Sequence, residues 1–97
     1  MKSAKFSLGQ VVATAGALEA IENASQTPTE FLVQHAAGHW GELCVEDQEA
    51  NNEALKTGAR LLSVYHLADD TKIWIITEAA DENGQREATT ILLPSEY

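Results

Sequence analysis

Three short runs near the end of the chain limit its fold more than any other feature. Leu61–Leu67, Lys72–Glu78 and Ala88–Leu93 are dense in Ile, Val, Leu, Trp, Tyr and Thr, the residues that strands favour. Asp69-Asp70 marks a turn between the first two. Asp81-Glu82-Asn83-Gly84 marks another, with Asn83-Gly84 as a hairpin signal. The stretch before these runs reads as helices. Thr14 can cap a helix over roughly residues 15–24, with Leu18 and Ile21 on one face. Thr27-Pro28-Thr29-Glu30 combines an N-cap, a proline at the first helical position and the acid of a capping box. That helix should end near Ala37, at Gly38. A third helix is expected over roughly Val45–Thr57, opened by Glu46 and Asp47 and closed by Gly58. An extended segment is expected at Lys5–Leu8, continuing past Gly9 and Gln10 into Val11–Ala13. Helices first and a meander second predict an α+β fold: an antiparallel sheet of three to four strands with about three helices on one face.

The 97 residues fit a single domain, and a hydrophobic content of 44% suffices for a small core. The lone cysteine, Cys44, cannot form an internal disulfide. The start of the chain does not read as a signal peptide, and no apolar run is long enough to span a membrane. A bacterial cytoplasmic, monomeric protein is expected.

The bases are unevenly placed along the chain. Fifteen acids against six bases give a net charge of −9, which argues against binding nucleic acid or an acidic membrane surface. From Ser7 to Leu55 there is no Lys or Arg, and eight acids give that window a formal charge of −8. Within it Glu42, Glu46, Glu49 and Glu53 are spaced by 4, 3 and 4 residues. On one helix they form a single stripe, about 16 Å long at about 1.5 Å per residue. If the helix starts only at Glu46, Glu42 leaves the row. Such a stripe reads either as a solvated face or as a binding face for a basic partner. Carboxylates about one turn apart (~5.4 Å) loosely imitate the phosphates of duplex DNA. With Asp47 they form the candidate partner-binding surface; Asp81, Glu82 and Glu87 form a second patch.

Other constellations are weaker. His35, His39, Glu42 and Cys44 are zinc-compatible types, but Gly38 interrupts the helix between the histidines and the HExxH glutamate is absent. Ser63 and His66 lie three apart on a strand and so face opposite sides. No P-loop, GxGxxG or GxSxG motif is present. No enzymatic activity, no metal and no cofactor is expected. Trp74 alternates with Ile73 and Ile75, so it should lie on the outer side of the sheet, either exposed or covered by another segment.

The motifs Leu8-Gly9-Gln10-Val11-Val12-Ala13-Thr14, His35-Ala-Ala-Gly-His-Trp-Gly-Glu-Leu, Gly58-Ala-Arg-Leu-Leu-Ser-Val-Tyr-His66, Lys72-Ile-Trp-Ile-Ile-Thr-Glu-Ala79 and Thr89-Thr-Ile-Leu-Leu-Pro-Ser-Glu-Tyr97 cover most of the chain. Their pattern resembles a family of small proteins carried by plasmids, prophages and other mobile elements. Two departures from that pattern stand out. His39 replaces the usual Asp, and residues 80–87 lengthen a hairpin that normally passes through Asp-Arg directly into the Thr-Thr strand. A small acidic protein of such an element is similar to anti-CRISPR proteins that inhibit type I-F surveillance complexes, a class that includes DNA mimics. The resemblance implies an inhibitor that occupies the basic DNA-binding cleft of a CRISPR effector. The alternative is an antitoxin-like or regulatory protein that masks a basic toxin or DNA-binding protein.

Overall fold

The computed structural model describes residues 4–97. In chain order the elements are β1 (Gln10–Ala13), α1 (Ala15–Asn23), α2 (Pro28–Ala36), α3 (Val45–Thr57), β2 (Leu61–His66), β3 (Lys72–Thr77) and β4 (Ala88–Leu92). A short helical turn, Pro94–Glu96, follows. The architecture is α+β, with one open four-stranded sheet in the order β1-β4-β3-β2. β2, β3 and β4 form the expected antiparallel meander. β1 departs from expectation, because it lies parallel to β4, so the sheet is mixed.

Which edge β1 can join is decided at the other side of the sheet. Val64 of β2 accepts from the Glu42 N–H at 2.8 Å and donates to the Trp40 carbonyl at 3.1 Å. Asn51 of α3 covers Leu62 in the same way, donating to its carbonyl at 2.5 Å and accepting from its N–H at 3.3 Å. A loop and one amide side chain thus occupy the outward-pointing groups of β2, as an edge strand requires. The edge left open for β1 belongs to β4.

The local signals are realised with two exceptions. The Thr14 hydroxyl accepts from Ala17 N–H at 3.1 Å, and Glu30 Oε1 accepts from Thr27 N–H at 2.9 Å. Gly38 and Gly58 close α2 and α3 at positive φ. Asp81 accepts from Gly84 N–H through its carbonyl, and its side chain accepts from Asn83 and Gln85 N–H. This is a type I turn completed by Gly84 at φ 77°, not a two-residue hairpin. The first exception is Lys5–Leu8, which is not a strand. Lys5 N–H bonds to the Ala36 carbonyl, and the chain bends at Gly9, where φ is 64°. The second is α1, whose buried pair is Ala17 and Ile21, four apart, while Leu18 is exposed.

The period-two pattern puts Leu61, Ser63, Tyr65, Ile73, Ile75, Thr77, Thr89 and Ile91 on the helix side, all buried. Of these, Tyr65, Ile73, Ile75 and Ile91 pack with Ala17, Ile21, Phe31 and Leu67 in the main core. A smaller cluster, Trp40, Ala54 and Leu61 with Phe6, Leu43 and Leu55, lies under α3. Trp74 falls on the outer side, half-buried, with the Tyr97 ring 5.5 Å away.

Gly41 makes the edge closure possible. Its φ is 77°, and a Cβ there would stand 1.9 Å from the Val64 carbonyl oxygen. Gly41→Ala should therefore cost more than about 2 kcal/mol in urea unfolding, and an unchanged midpoint would refute this account of the edge.

Candidate functional site

The candidate surface is α3, and its attachment decides what it can present. The helix buries only Asn51 and Ala54, so it has no wide apolar stripe. Polar bonds hold it instead. Asn51 grips Leu62, and Asn52 Oδ1 accepts from Trp40 Nε1–H at 3.1 Å. Arg86 donates to the Ala54 carbonyl at 3.2 Å, and to the Ala59 and Glu78 carbonyls at 2.8 and 3.0 Å. This buried guanidinium stands at the negative end of the helix dipole, where a cation is favoured. Burial pulls its pKa down, but a guanidinium starts high enough to remain charged.

The orientation of the acids follows. At about 100° per residue, Glu46, Glu49 and Glu53 lie within about 60° of arc, on the side away from Asn51 and Ala54. All three are exposed. None forms an ion pair with a base among the described residues, where the one pair is His66 with Glu42. Lys56 and Arg60 make no ion pair with the stripe, although Lys56, three residues beyond Glu53, closes the same helix face. Glu42 leaves the row, because α3 starts at Val45. It belongs to the β2 edge, through its N–H to Val64 and its carboxylate to His66. Asp47 is exposed on a different side of the first turn. Its amide holds the adjacent Cys44 thiol down, but the Asp47 and Glu46 side chains outweigh that and raise its pKa.

The second patch is separate from the first. The 80–87 hairpin meets the end of α3 through Ala80 N–H to the Gly58 carbonyl at 2.7 Å. The cleft between them is lined by Lys5, Lys56 and Arg86 as well as Asp81 and Glu82, so bases interrupt the negative surface. Asp81 uses Oδ1 to build its turn, while Glu82 and Glu87 are exposed.

A buried polar chain with no counterpart among the expected sites crosses the core. Ser63 Oγ lies 2.5 Å from His35 Nδ1, and His35 Nε2 lies 2.8 Å from Thr77 Oγ1. Thr77 Oγ1 lies 2.8 Å from Thr89 Oγ1, which donates to the Leu8 carbonyl at 2.7 Å. That carbonyl can only accept, so every other donor is assigned in turn. Thr77 donates to Thr89, His35 Nε2–H donates to Thr77, and Ser63 donates to His35 Nδ1. His35 is the neutral Nε2–H tautomer, with both nitrogens occupied. It cannot serve as a metal ligand, and no metal-type group of three His, Cys, Asp or Glu occurs among the described residues. The Ser63–His35 contact has a nucleophile–base form, but both residues are fully buried and no substrate can reach them. No helix among the described residues is long and apolar enough to cross a membrane. Comparison with protein-family models, curated proteins and solved structures found no match.

Burial, aided by the Arg86 charge, lowers the His35 pKa from 6.5 to about 4. Between these values the unfolded chain binds the extra proton, so stability falls as pH drops from 6.5 toward 4 and is level above 6.5. The penalty reaches about 3 kcal/mol at the acid end. Compared with His35→Gln, the parent should show this added slope in pH-dependent urea unfolding; parallel profiles would refute it. Asn51→Ala should cost about 1–3 kcal/mol by stripping the Leu62 backbone of both bonds, measured in the same way.

Proposed function

We propose that the protein is a non-enzymatic inhibitor that presents α3 to a groove lined with Lys and Arg, standing in for the phosphates of duplex DNA. The observation that carries this reading is the outward line of Glu46, Glu49 and Glu53, which has no basic partner among the described residues. Acids at these spacings repel one another by a few tenths of a kcal/mol per pair. A surface tuned for stability alone would mix signs. Here the 49 residues from Ser7 to Leu55 contain no base. The resulting field would steer the protein toward a cationic cleft and speed encounter.

Asp47 lies off the line, on another side of the first turn, and Glu82 and Glu87 offer outlying contacts beyond the Lys56 interruption. Glu42 and Asp81 serve the fold first, through the β2 edge and the hairpin turn. The target class implied by the resemblance to mobile-element proteins is a type I CRISPR surveillance complex, bound in the host cytoplasm at its target-DNA cleft. No cofactor or covalent step is needed.

The test uses a purified type I-F surveillance complex and the variant Glu46→Gln/Glu49→Gln/Glu53→Gln. The triple variant should fold with equal or slightly higher stability, and bind at least about tenfold more weakly. Parent binding should weaken steeply as salt rises, because exposed charges are screened. Equal affinity of parent and variant, or salt-independent binding, would overturn the reading.

A further inference from the structure

The sheet face away from the helices carries a cavity of about 380 Å³, lined by Leu62, Trp74, Ile76 and Tyr97 and, at the start of β2, by Arg60 and the neighbouring Leu61. Its place follows from register. Leu62 pairs with Ile76 and Val64 with Trp74, which sets two apolar rows side by side on the outer face. An antiparallel sheet with one solvated face normally alternates apolar and polar residues along its strands. Here Ile73, Trp74, Ile75 and Ile76 run without interruption, so both faces of β3 are apolar. The turn after β4 is pinned to the start of α1. Glu96 accepts from the Thr14 hydroxyl at 2.6 Å and from Leu93 N–H at 2.8 Å. Those two bonds hold the Glu96 carboxyl below its ordinary pKa. Pinned in this way, the turn sets the Tyr97 ring edge-on to Trp74 while leaving it 70% exposed.

Arg60 supplies the polar group. Its guanidinium sits 5.7 Å from the Tyr97 ring centre and donates to the Tyr97 hydroxyl at 3.2 Å. That uses one of five N–H groups. In a chain with fifteen acids, Arg60 has no carboxylate partner among the described residues. Two aromatic walls, an aliphatic floor and a planar cation with unused donors form a combination typical of small-molecule sites, whose volumes start near roughly 300 Å³. A guanidinium prefers a carboxylate, which it can grip through two parallel bonds. The aromatic walls prefer a ring stacked or edge-on between them.

We propose that this cavity binds a small aromatic carboxylate, with its ring against Trp74 and Tyr97 and its carboxylate on Arg60. The site lies on the opposite side of the sheet from α3 and does not depend on the reading of that helix.

Titration calorimetry and heteronuclear NMR with β-naphthoate test this, with neutral naphthylmethanol as the uncharged control. The expected result is saturable one-to-one binding of naphthoate that shifts the Trp74 indole N–H and the Tyr97 resonances and leaves Trp40 unmoved. Arg60→Gln, a change at an exposed position, should weaken naphthoate binding about tenfold and leave naphthylmethanol binding unchanged. Absence of saturation within naphthoate solubility would overturn the proposal. So would shifts centred elsewhere, or equal binding of the two probes with no effect of Arg60→Gln.

Discussion

The rest of the structure depends on the hydrogen-bond chain through His35. It joins five separate pieces of the molecule: the Leu8 carbonyl, β4 through Thr89, β3 through Thr77, α2 through His35 and β2 through Ser63. Each side chain in this chain is buried, and each of its polar atoms would be costly to leave unpaired. Because the carbonyl at one end fixes the direction of every donor, the chain tolerates one arrangement of its partners. It therefore sets how α2 sits on the sheet and holds the Lys5–Leu8 segment over the core. Phe6 from that segment packs edge-on to His35 at 5.2 Å and lies near-parallel to Trp40 at 6.1 Å. The segment thereby joins the small cluster beneath α3 to the main core.

That geometry explains how so polar a helix as α3 is kept in place. Its sequence, VEDQEANNEALKT, offers little to bury. Hydrophobic packing alone would leave its rotation poorly defined. The Asn51 amide, the Trp40–Asn52 bond and the Arg86 guanidinium define it through direction rather than area. Directional fastening leaves the remaining faces free for carboxylates. In this account the stability of α3 and the composition of its outer face are decoupled. The helix can carry an unbalanced charge because its anchorage does not draw on those positions.

Much of the fold is legible in the sequence, for identifiable reasons. The ranges of α2, α3 and the three later strands follow from caps, turn residues and β-branched runs, all of which are local. The edge that β1 joins is not legible, because it depends on which sheet edge is already closed, and the Trp40–Glu42 loop and Asn51 of α3 close the β2 edge. Leu18 is misassigned because three-residue spacing in α1 competes with the four-residue pair Ala17 and Ile21, and a small alanine gives a weak signal. The exposed glutamates of α3 are legible from spacing. The departure of Glu42 follows from the helix start at Val45, which the first-turn acids Glu46 and Asp47 mark in the sequence. The His35 chain is invisible in the sequence, since Ser63, Thr77 and Thr89 are ordinary strand residues until the register aligns them. Arg86 carries no local signal of burial, yet it is buried against three backbone carbonyls that only the fold brings together.

Electrostatics then links fold to function. A molecule with net charge −9 has no base from Ser7 to Leu55, while three of its six bases, Arg60, Lys72 and Arg86, fall in the sheet half. The functional claim is that the acidic side occupies a groove that otherwise receives DNA. Competition on one purified surveillance complex tests that claim most directly. Added target duplex should raise the apparent Kd of the protein in proportion to duplex concentration, as expected for two ligands sharing one cleft. An affinity unchanged at saturating duplex would contradict it.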